Sequence, residues 1–519
     1  MTYSFNLVDR KWIPCVHFDG RVEEFSLREA LTQAHTLRGI QGDSPLETAA
    51  LYRLLLAVLH SALRGPCTKS EWAELWEGGN GSWDKPWLLS YLDTWKSRFD
   101  LFDPEKPFYQ VRDSRVKPKT ALQLLHGMGT ANELFEHISV TEDVRFSPAQ
   151  AARMLIAGQV FGIGGGCDPS QNLYLSSGSW RTGVVFLIEG ENVFQSLALN
   201  LLRYADDRPI PKLGKDLPAW EMDDPFSPNR EQPIGYLDYL TWQNRRLFLF
   251  PEEDDAGRVI IWQMTIAPGL AMAGDLLHPM KQFSAGKKGW NPLEFREGKS
   301  LWRNSHTLLA LKKPDKSRPP QSFEWLSTLM TDGHIELQRV FRCMTLGMAC
   351  DRAKAKIYFY SQEHFPLPLA YLEEEKNELL VEELANALAL NDLVLRKLRG
   401  AIFNLAKFIL SPNADQSNGR QPDTEDINNL MDYLGFERNY WGALEIPFWH
   451  LLEGLPINPE TVMSTWKDIL KETAWNTLEK AADLAGDNVH ALKAAVRARG
   501  TLGYSLKELF PETEKEATA

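Results

Sequence analysis

Four glycines occupy five consecutive positions, Gly162-Ile163-Gly164-Gly165-Gly166. Glycine has no Cβ, so its backbone can adopt positive φ angles and can approach another molecule closely. Successive N–H groups in such a segment can also form a concave site for an anion. This spacing therefore predicts a loop that meets a nucleotide or a nucleic-acid backbone.

The motifs that would support catalysis are missing from the sequence. There is no H-E-x-x-H, no G-x-x-x-x-G-K-[ST] and no G-x-S-x-G. Gly162 and Gly164 match the first two glycines of a dinucleotide fingerprint, but Cys167 stands at the third. We therefore expect no enzymatic activity, no cofactor and no metal, and a nucleotide-binding enzyme that uses the glycine run remains the alternative.

Cysteine usage and hydropathy bear on the compartment. The five cysteines form no C-x-x-C pair, and their odd number does not fit a disulfide framework. The N-terminus has no apolar segment typical of a signal peptide, and no apolar run approaches the length of a membrane span. These features favour a cytoplasmic protein that does not associate with a membrane.

Charge is distributed unevenly along the chain. The formal net charge is −12, which argues against a protein that coats nucleic acid with its whole surface. Residues 281–318, however, hold ten Lys or Arg and three acidic residues, a local balance of +7. This segment is either a solvated surface loop or a contact for nucleic acid.

The elements around the glycine run change character along the chain. A helix over 148–160 precedes the run, and a further helix over 45–63 has Ser44 as its N-cap. Strand patterns cover 182–188 and 259–266. From residue 373 onward the pattern is helical, with four helices expected over 376–410, 424–452, 459–484 and 489–510. We expect an α+β protein: a large mixed α/β N-terminal domain over 1–372, followed by an all-α four-helix bundle over 373–519.

Several segments together resemble one family. Residues 5–14 (FNLVDRKWIP), 26–31 (SLREAL), 46–51 (LETAAL), 216–221 (DLPAWE), 235–246 (GYLDYLTWQNRR) and 441–445 (WGALE) are similar to the large subunit of the type I-E CRISPR Cascade complex. The resemblance covers most of the chain, and it is the order and spacing of these segments that are specific.

The resemblance implies a non-catalytic function in antiviral defence. Such a subunit recognises the protospacer-adjacent motif in double-stranded DNA, helps to start R-loop formation with the guide RNA, and recruits a helicase-nuclease. Its other partners would be the backbone, small and 5′-handle-binding subunits of Cascade. In this arrangement the protein recognises a short flanking motif, and base pairing recognises the rest of the target.

The resemblance also implies roles for particular residues. The backbone of Gly162, Gly164, Gly165 and Gly166 would face the DNA minor groove. A second loop, 134–146, would lie near the 5′ end of the guide RNA, with Phe135, Glu136 and His137 at its contact positions. The wedge that separates the first base pair would fall at Ala353 and Lys354, where Lys354 replaces the family's glutamine.

A lysine that the family inserts into the minor groove aligns near Ala267, so Lys281, Lys287 or Lys288 would have to substitute for it. Some relatives carry cysteine pairs for zinc, and this chain has none. Basic residues of the bundle could face nucleic acid or the small subunits, or could simply be surface charges of the helices: Arg396, Lys397, Arg399, Lys493, Arg497 and Arg499.

Overall fold

The computed structural model describes residues 3–78, 81–124, 144–168, 172–274, 276–287, 289–311, 316–351, 356–417 and 419–511. The chain divides into two compact units. The first comprises Met1–Ser300 and Leu311–Glu373, and the second comprises Leu301–Ala310 and Glu374–Ala519.

All strands among the described residues lie in the first unit. They are β1 (Ile13–His17), β2 (Val22–Phe25), β3 (Leu37–Ile40), β4 (Lys119–Thr120), β5 (Gly165–Asp168), β6 (Leu173–Leu175), β7 (Val185–Glu189), β8 (Arg245–Glu253), β9 (Val259–Pro268), β10 (Phe283–Gly286), β11 (Gly289–Pro292), β12 (Ser317–Arg318), β13 (Val340–Asp351) and β14 (Lys356–Pro368). They form small sheets in the orders β2-β1-β3, β4-β9-β8, β11-β10-β12, β14-β13-β7 and β5-β6.

Helices are found in both units. Those up to residue 331 are α1 (Leu27–Thr32), α2 (Pro45–Leu63), α3 (Lys69–Glu77), α4 (Pro86–Trp95), α5 (Pro148–Phe161), α6 (Val193–Asn200), α7 (Tyr236–Leu240), α8 (Ser305–Leu308) and α9 (Gln321–Thr331). The later ones are α10 (Glu374–Leu410), α11 (Thr424–Leu434), α12 (Phe436–Gly454), α13 (Pro459–Leu484) and α14 (Val489–Leu509). This mixed α/β region followed by a helical region confirms the expected fold class.

Helix α2 is the central helix of the first unit. Ser44 caps its N-terminus by accepting a hydrogen bond from the Glu47 amide. Its length and composition would allow it to span a membrane, which we did not expect from the sequence. However, 89% of the relevant window is buried inside the fold, where α2 packs against α4, α5 and α7. This environment is that of a core helix.

The helices of the second unit follow the expected pattern with one difference. The expected helix over 424–452 is divided into α11 and α12 at Gly435, whose φ of +59° lies in the left-handed region. Helix α10 packs against α11, α13 and α14. Trp466 of α13 is buried and donates its indole N–H to the Ala387 carbonyl of α10, 3.2 Å away, so the helices are joined by polar as well as apolar contacts.

Two residues of α14 test this packing. Leu502 is fully buried, so Leu502→Ala should lower the free energy of unfolding by about 2–5 kcal/mol, because apolar burial is removed and a cavity is left. Val496 on the same helix is 64% exposed, and Val496→Ala should change the free energy of unfolding by less than about 0.5 kcal/mol. Urea unfolding followed by circular dichroism measures both, and equal effects would contradict this packing.

Candidate nucleic-acid interface

The glycine run connects a helix to a short hairpin. Helix α5 begins with a capping box between Ser147 and Gln150 and ends at Gly162. The chain then enters β5, which pairs antiparallel with β6 in the register Gly165↔Leu175 and Gly166↔Tyr174. We call Gly162–Gly164 together with β5 and β6 the glycine hairpin. The expected loop is thus partly a strand.

The glycines of this hairpin differ in what surrounds them. A Cβ on Gly162 would lie 2.6 Å from the Gly158 carbonyl oxygen and 2.8 Å from Arg245 Nη2. A Cβ on Gly164 would lie 3.0 Å from Ser177 Oγ. These two positions therefore need glycine because the fold itself leaves no room for a side chain.

Gly165 and Gly166 are exposed. Gly165 has a φ of +155° and open space where a Cβ would be. A Cβ on Gly166 would meet only Tyr174 Cε1 at 3.9 Å, an ordinary van der Waals distance. An external molecule could therefore approach the Gly165 backbone without meeting a side chain, and at Gly166 it would pass beside the ring of Tyr174.

Arg245, at the start of β8, fastens the hairpin to the sheet. Its Nη2 donates to the Ile163 carbonyl at 2.9 Å, and its Nη1 donates to the Ser176 carbonyl. Its backbone N–H donates to Gln159 Oε1 of α5 at 2.8 Å. Burial lowers the pKa of Arg245 to about 10, so the side chain remains cationic at neutral pH.

Lys281 has a comparable position beneath the segment that follows the hairpin. Its Nζ donates to the Ser179 carbonyl at 3.0 Å and to the Thr182 carbonyl at 2.6 Å. Burial, with repulsion from the nearby Arg53 cation, lowers the pKa of Lys281 to about 7. A neutral amine has two N–H donors, and these two carbonyls would satisfy both.

Comparison with known proteins identifies the family. The family model of CRISPR-associated protein Cse1 matches residues 6–477. A CRISPR-associated protein CasA/Cse1 of Thermus thermophilus is 30% identical over 522 residues, covering 98% of both chains.

The chain belongs to the Cse1 family.

The fold agrees with this assignment. The crystal structure of Thermus thermophilus CasA superposes with a TM-score of 0.78 at 26% identity, covering 98% of this chain and 100% of that one. Cse1 from Acidimicrobium ferrooxidans gives a TM-score of 0.79 at 24% identity, covering 98% and 99%. The resemblance found in the sequence is thereby confirmed.

The candidates for the minor-groove lysine differ in how exposed their side chains are. Lys281 is buried and bonded to the scaffold, and this removes it from the candidates. Ala267, the aligned position, is fully buried in a cluster with Val116 and Cys167, so it does not face an external groove. Lys287 is exposed in the turn between β10 and β11, and Lys288 lies outside the described residues.

The other candidate positions lie largely outside the described residues. These are Phe135, Glu136 and His137 of the guide-RNA loop and Ala353 and Lys354 of the wedge. Strands β13 and β14 form a long antiparallel hairpin whose last pair is Asp351↔Lys356. The wedge candidates therefore fall between the two paired strands in the sequence.

The basic residues of the bundle are mostly neutralised within their own unit. Ion pairs join Lys397 to Glu508, Arg399 to Glu437, Arg497 to Asp415 and Arg499 to Glu479. This favours the interpretation of these four as surface charges of the helices. Arg396 and Lys493 are exposed and remain the better candidates for an external partner.

The described side chains also bear on whether the chain could hold a metal site. Within the described ranges, no three His, Cys, Asp or Glu side chains are grouped so that they could hold a metal ion. His60 is buried with its Nδ1 2.9 Å from the Gly65 carbonyl oxygen, and burial lowers its pKa to about 4. This histidine is part of the core.

Arg245 is the supporting residue that sequence reasoning missed. It lies within 235–246, a segment that contributed to the resemblance, but its carbonyl partner Ile163 is 82 positions away. The resemblance of residues 235–246 to the family is the sequence signal that could have pointed to Arg245.

The buried Lys281 makes stability depend on pH. Its folded pKa, about 7, lies below its ordinary value of 10.5, so the unfolded chain binds more protons between these values. Stability should therefore rise with pH above 7, and Lys281→Met should remove up to about 1.4 kcal/mol per pH unit of that rise.

Urea unfolding at pH 7, 8 and 9 measures this effect. Lys287→Met is the matched control, because its exposed lysine should leave the pH dependence unchanged. Parallel stability curves for the wild type and Lys281→Met would contradict the assignment.

Proposed function

We propose that this chain is the large, non-catalytic subunit of an RNA-guided type I-E Cascade complex. In this proposal it recognises the protospacer-adjacent motif in double-stranded DNA and helps to start R-loop formation. It also recruits the helicase-nuclease after the R-loop has formed. One solved relative in fold, with a TM-score of 0.71 at 19% identity, is described as a CRISPR RNA-guided surveillance complex.

The observation that carries the proposal is the exposed backbone of Gly165 and Gly166 on a fixed scaffold. The minor groove is about 6 Å wide, so an element that enters it must be thin. A backbone without side chains meets this requirement, and Arg245 holds it in place. Since minor-groove readout is degenerate, we expect several flanking motifs to be tolerated.

The remaining parts of the site complete the proposal. Lys287 is our candidate for the lysine that enters the minor groove, with Lys288 beside it in the sequence. Ala353 and Lys354 would act at the first base pair, where the lysine charge could hold a displaced phosphate. Phe135, Glu136 and His137 would contact the guide RNA near its 5′ end.

The alternative function, a nucleotide-binding enzyme, is disfavoured by the polarity of the helix. Nucleotide phosphates bind at helix N-termini, where the dipole is positive. Here the glycine run follows the C-terminus of α5 and leads into β5. The cation of Arg245 lies at this negative end, which is where a helix favours a positive charge.

Gly166→Val tests the proposed contact. The side chain fits the fold but adds bulk at the exposed surface, so the assembled complex should bind target duplex at least about tenfold more weakly, about 1.4 kcal/mol. Binding is measured with duplexes whose flanking motifs are permuted. Gly274→Val is the matched control, since Gly274 is exposed, has room for a Cβ and lies outside the left-handed region.

Two results would count against this proposal. Unchanged duplex affinity of the Gly166→Val complex would contradict the assignment of the hairpin. Nucleotide turnover by the isolated chain would favour the alternative enzyme.

A further inference from the structure

The glycine hairpin itself has no cationic side chain that would attract a polyanion. Residues 162–175 contain no Lys or Arg and one acidic residue, Asp168. Contacts between cations and phosphates supply a large share of the affinity of proteins for duplex DNA. If the hairpin approaches DNA, as proposed above, positive charge must come from neighbouring elements.

The segment 112–119 is such a neighbour. Val116 packs against Cys167 of β5 and Ala267 of β9 in one apolar cluster. Lys119 donates its Nζ proton to the Cys167 carbonyl at 2.5 Å. Residues Lys119 and Thr120 also form β4, which pairs with Met264 and Gln263 of β9. The segment is therefore fixed to the base of the glycine hairpin.

This segment is strongly basic within an acidic chain. Its eight residues include four basic side chains and one acidic one, a net charge of +3, whereas the whole chain carries −12. Arg115 is held by Asp113 through two hydrogen bonds, from Nε at 2.9 Å and from Nη2 at 2.6 Å. The Lys119 ammonium donates one of its three N–H groups to the Cys167 carbonyl.

Arg112 and Lys117 are the other two cations of this segment. Both are exposed, and in the described part of the chain neither is ion-paired with a carboxylate. The Arg112 guanidinium lies over the rings of Phe248 and Phe250, 5.2 and 5.5 Å from their centroids. Stacking uses the face of the guanidinium and leaves the in-plane N–H donors available for an anion.

We infer that Arg112 and Lys117 contact the phosphate backbone of the target duplex beside the minor groove that Gly165 and Gly166 approach. The inference rests on the proposed function, and it identifies the cations that would attract the DNA phosphates to the hairpin. Phosphates border the minor groove on both sides, so a hairpin that enters the groove brings the elements fixed to its base towards the backbone. These two residues add affinity without adding sequence preference.

The test uses the assembled complex with its guide RNA and the double variant Arg112→Ala/Lys117→Ala. Its affinity for target duplex should fall about tenfold, by the same factor for preferred and permuted flanking motifs. The slope of log K against log salt concentration should become shallower by about 0.9 for each phosphate that the protein no longer neutralises. Arg112→Lys/Lys117→Arg keeps both charges and should retain most of the affinity.

Arg10→Ala/Arg21→Ala is the charge-matched control, because both arginines are exposed and their removal changes the net charge equally. An unchanged salt slope and affinity in the Arg112/Lys117 variant would overturn the inference. Loss of guide RNA from that complex would also overturn it, since the two cations would then bind RNA.

The result separates this inference from the proposed function. If Gly166→Val weakens binding while Arg112→Ala/Lys117→Ala does not, the hairpin contact stands and the phosphate contact fails. If neither variant weakens binding, both fail.

Discussion

The hydrogen bonds from the Arg245 side chain to the carbonyls of Ile163 and Ser176 are the interaction on which the candidate interface depends. They join three parts of the chain: the end of α5, the sheet strand β8 and the segment that follows β6. An exposed glycine backbone is otherwise a flexible element, because glycine loses more conformational freedom on ordering than any other residue. Arg245 is buried and cationic, so leaving its donors unpaired would be costly. The guanidinium therefore fixes the position of the glycines while offsetting the negative end of the α5 dipole.

Close approach and electrostatic attraction are provided by different residues in this arrangement. Gly165 and Gly166 provide an edge without side chains, and the hairpin has no basic residue of its own. The neighbouring segment 112–119 supplies exposed cations, while the buried side chains of Arg245 and Lys281 donate hydrogen bonds to the backbone carbonyls beneath. This separation accounts for how an acidic chain could bind DNA at one site without binding it over its whole surface. Gly162 and Gly164 are needed because the fold leaves no room for a side chain, whereas Gly165 and Gly166 leave the surface open to DNA.

Local signals in the sequence predicted much of the fold, and non-local contacts explain most of what they missed. The cap at Ser44 and the bounds of α2 and α13 were predictable, since capping and helix periodicity involve neighbouring residues. The division at Gly435 was missed because the apolar pattern continues across it. The β5–β6 pair was missed because a strand that starts with glycines lacks the usual β-forming residues. The burial of Lys281 depends on carbonyls about 100 positions away, so a count of basic residues over 281–318 could not distinguish it from the exposed Lys287.

If the exposed glycines lie at the minor groove of the flanking motif, a DNA-cleaving probe attached to them will cut the DNA there, and this is the most direct test. A cysteine introduced by Gly166→Cys, in a chain whose exposed Cys67 is replaced by serine, can carry an iron chelate that cuts nearby DNA by hydroxyl radicals. The same chelate on Gly274→Cys provides the control. In the assembled complex we predict cuts on both strands at the flanking base pairs, and only with the Gly166→Cys chain. Cuts that are absent from the flanking motif, or that match those of the Gly274→Cys control, would contradict the account.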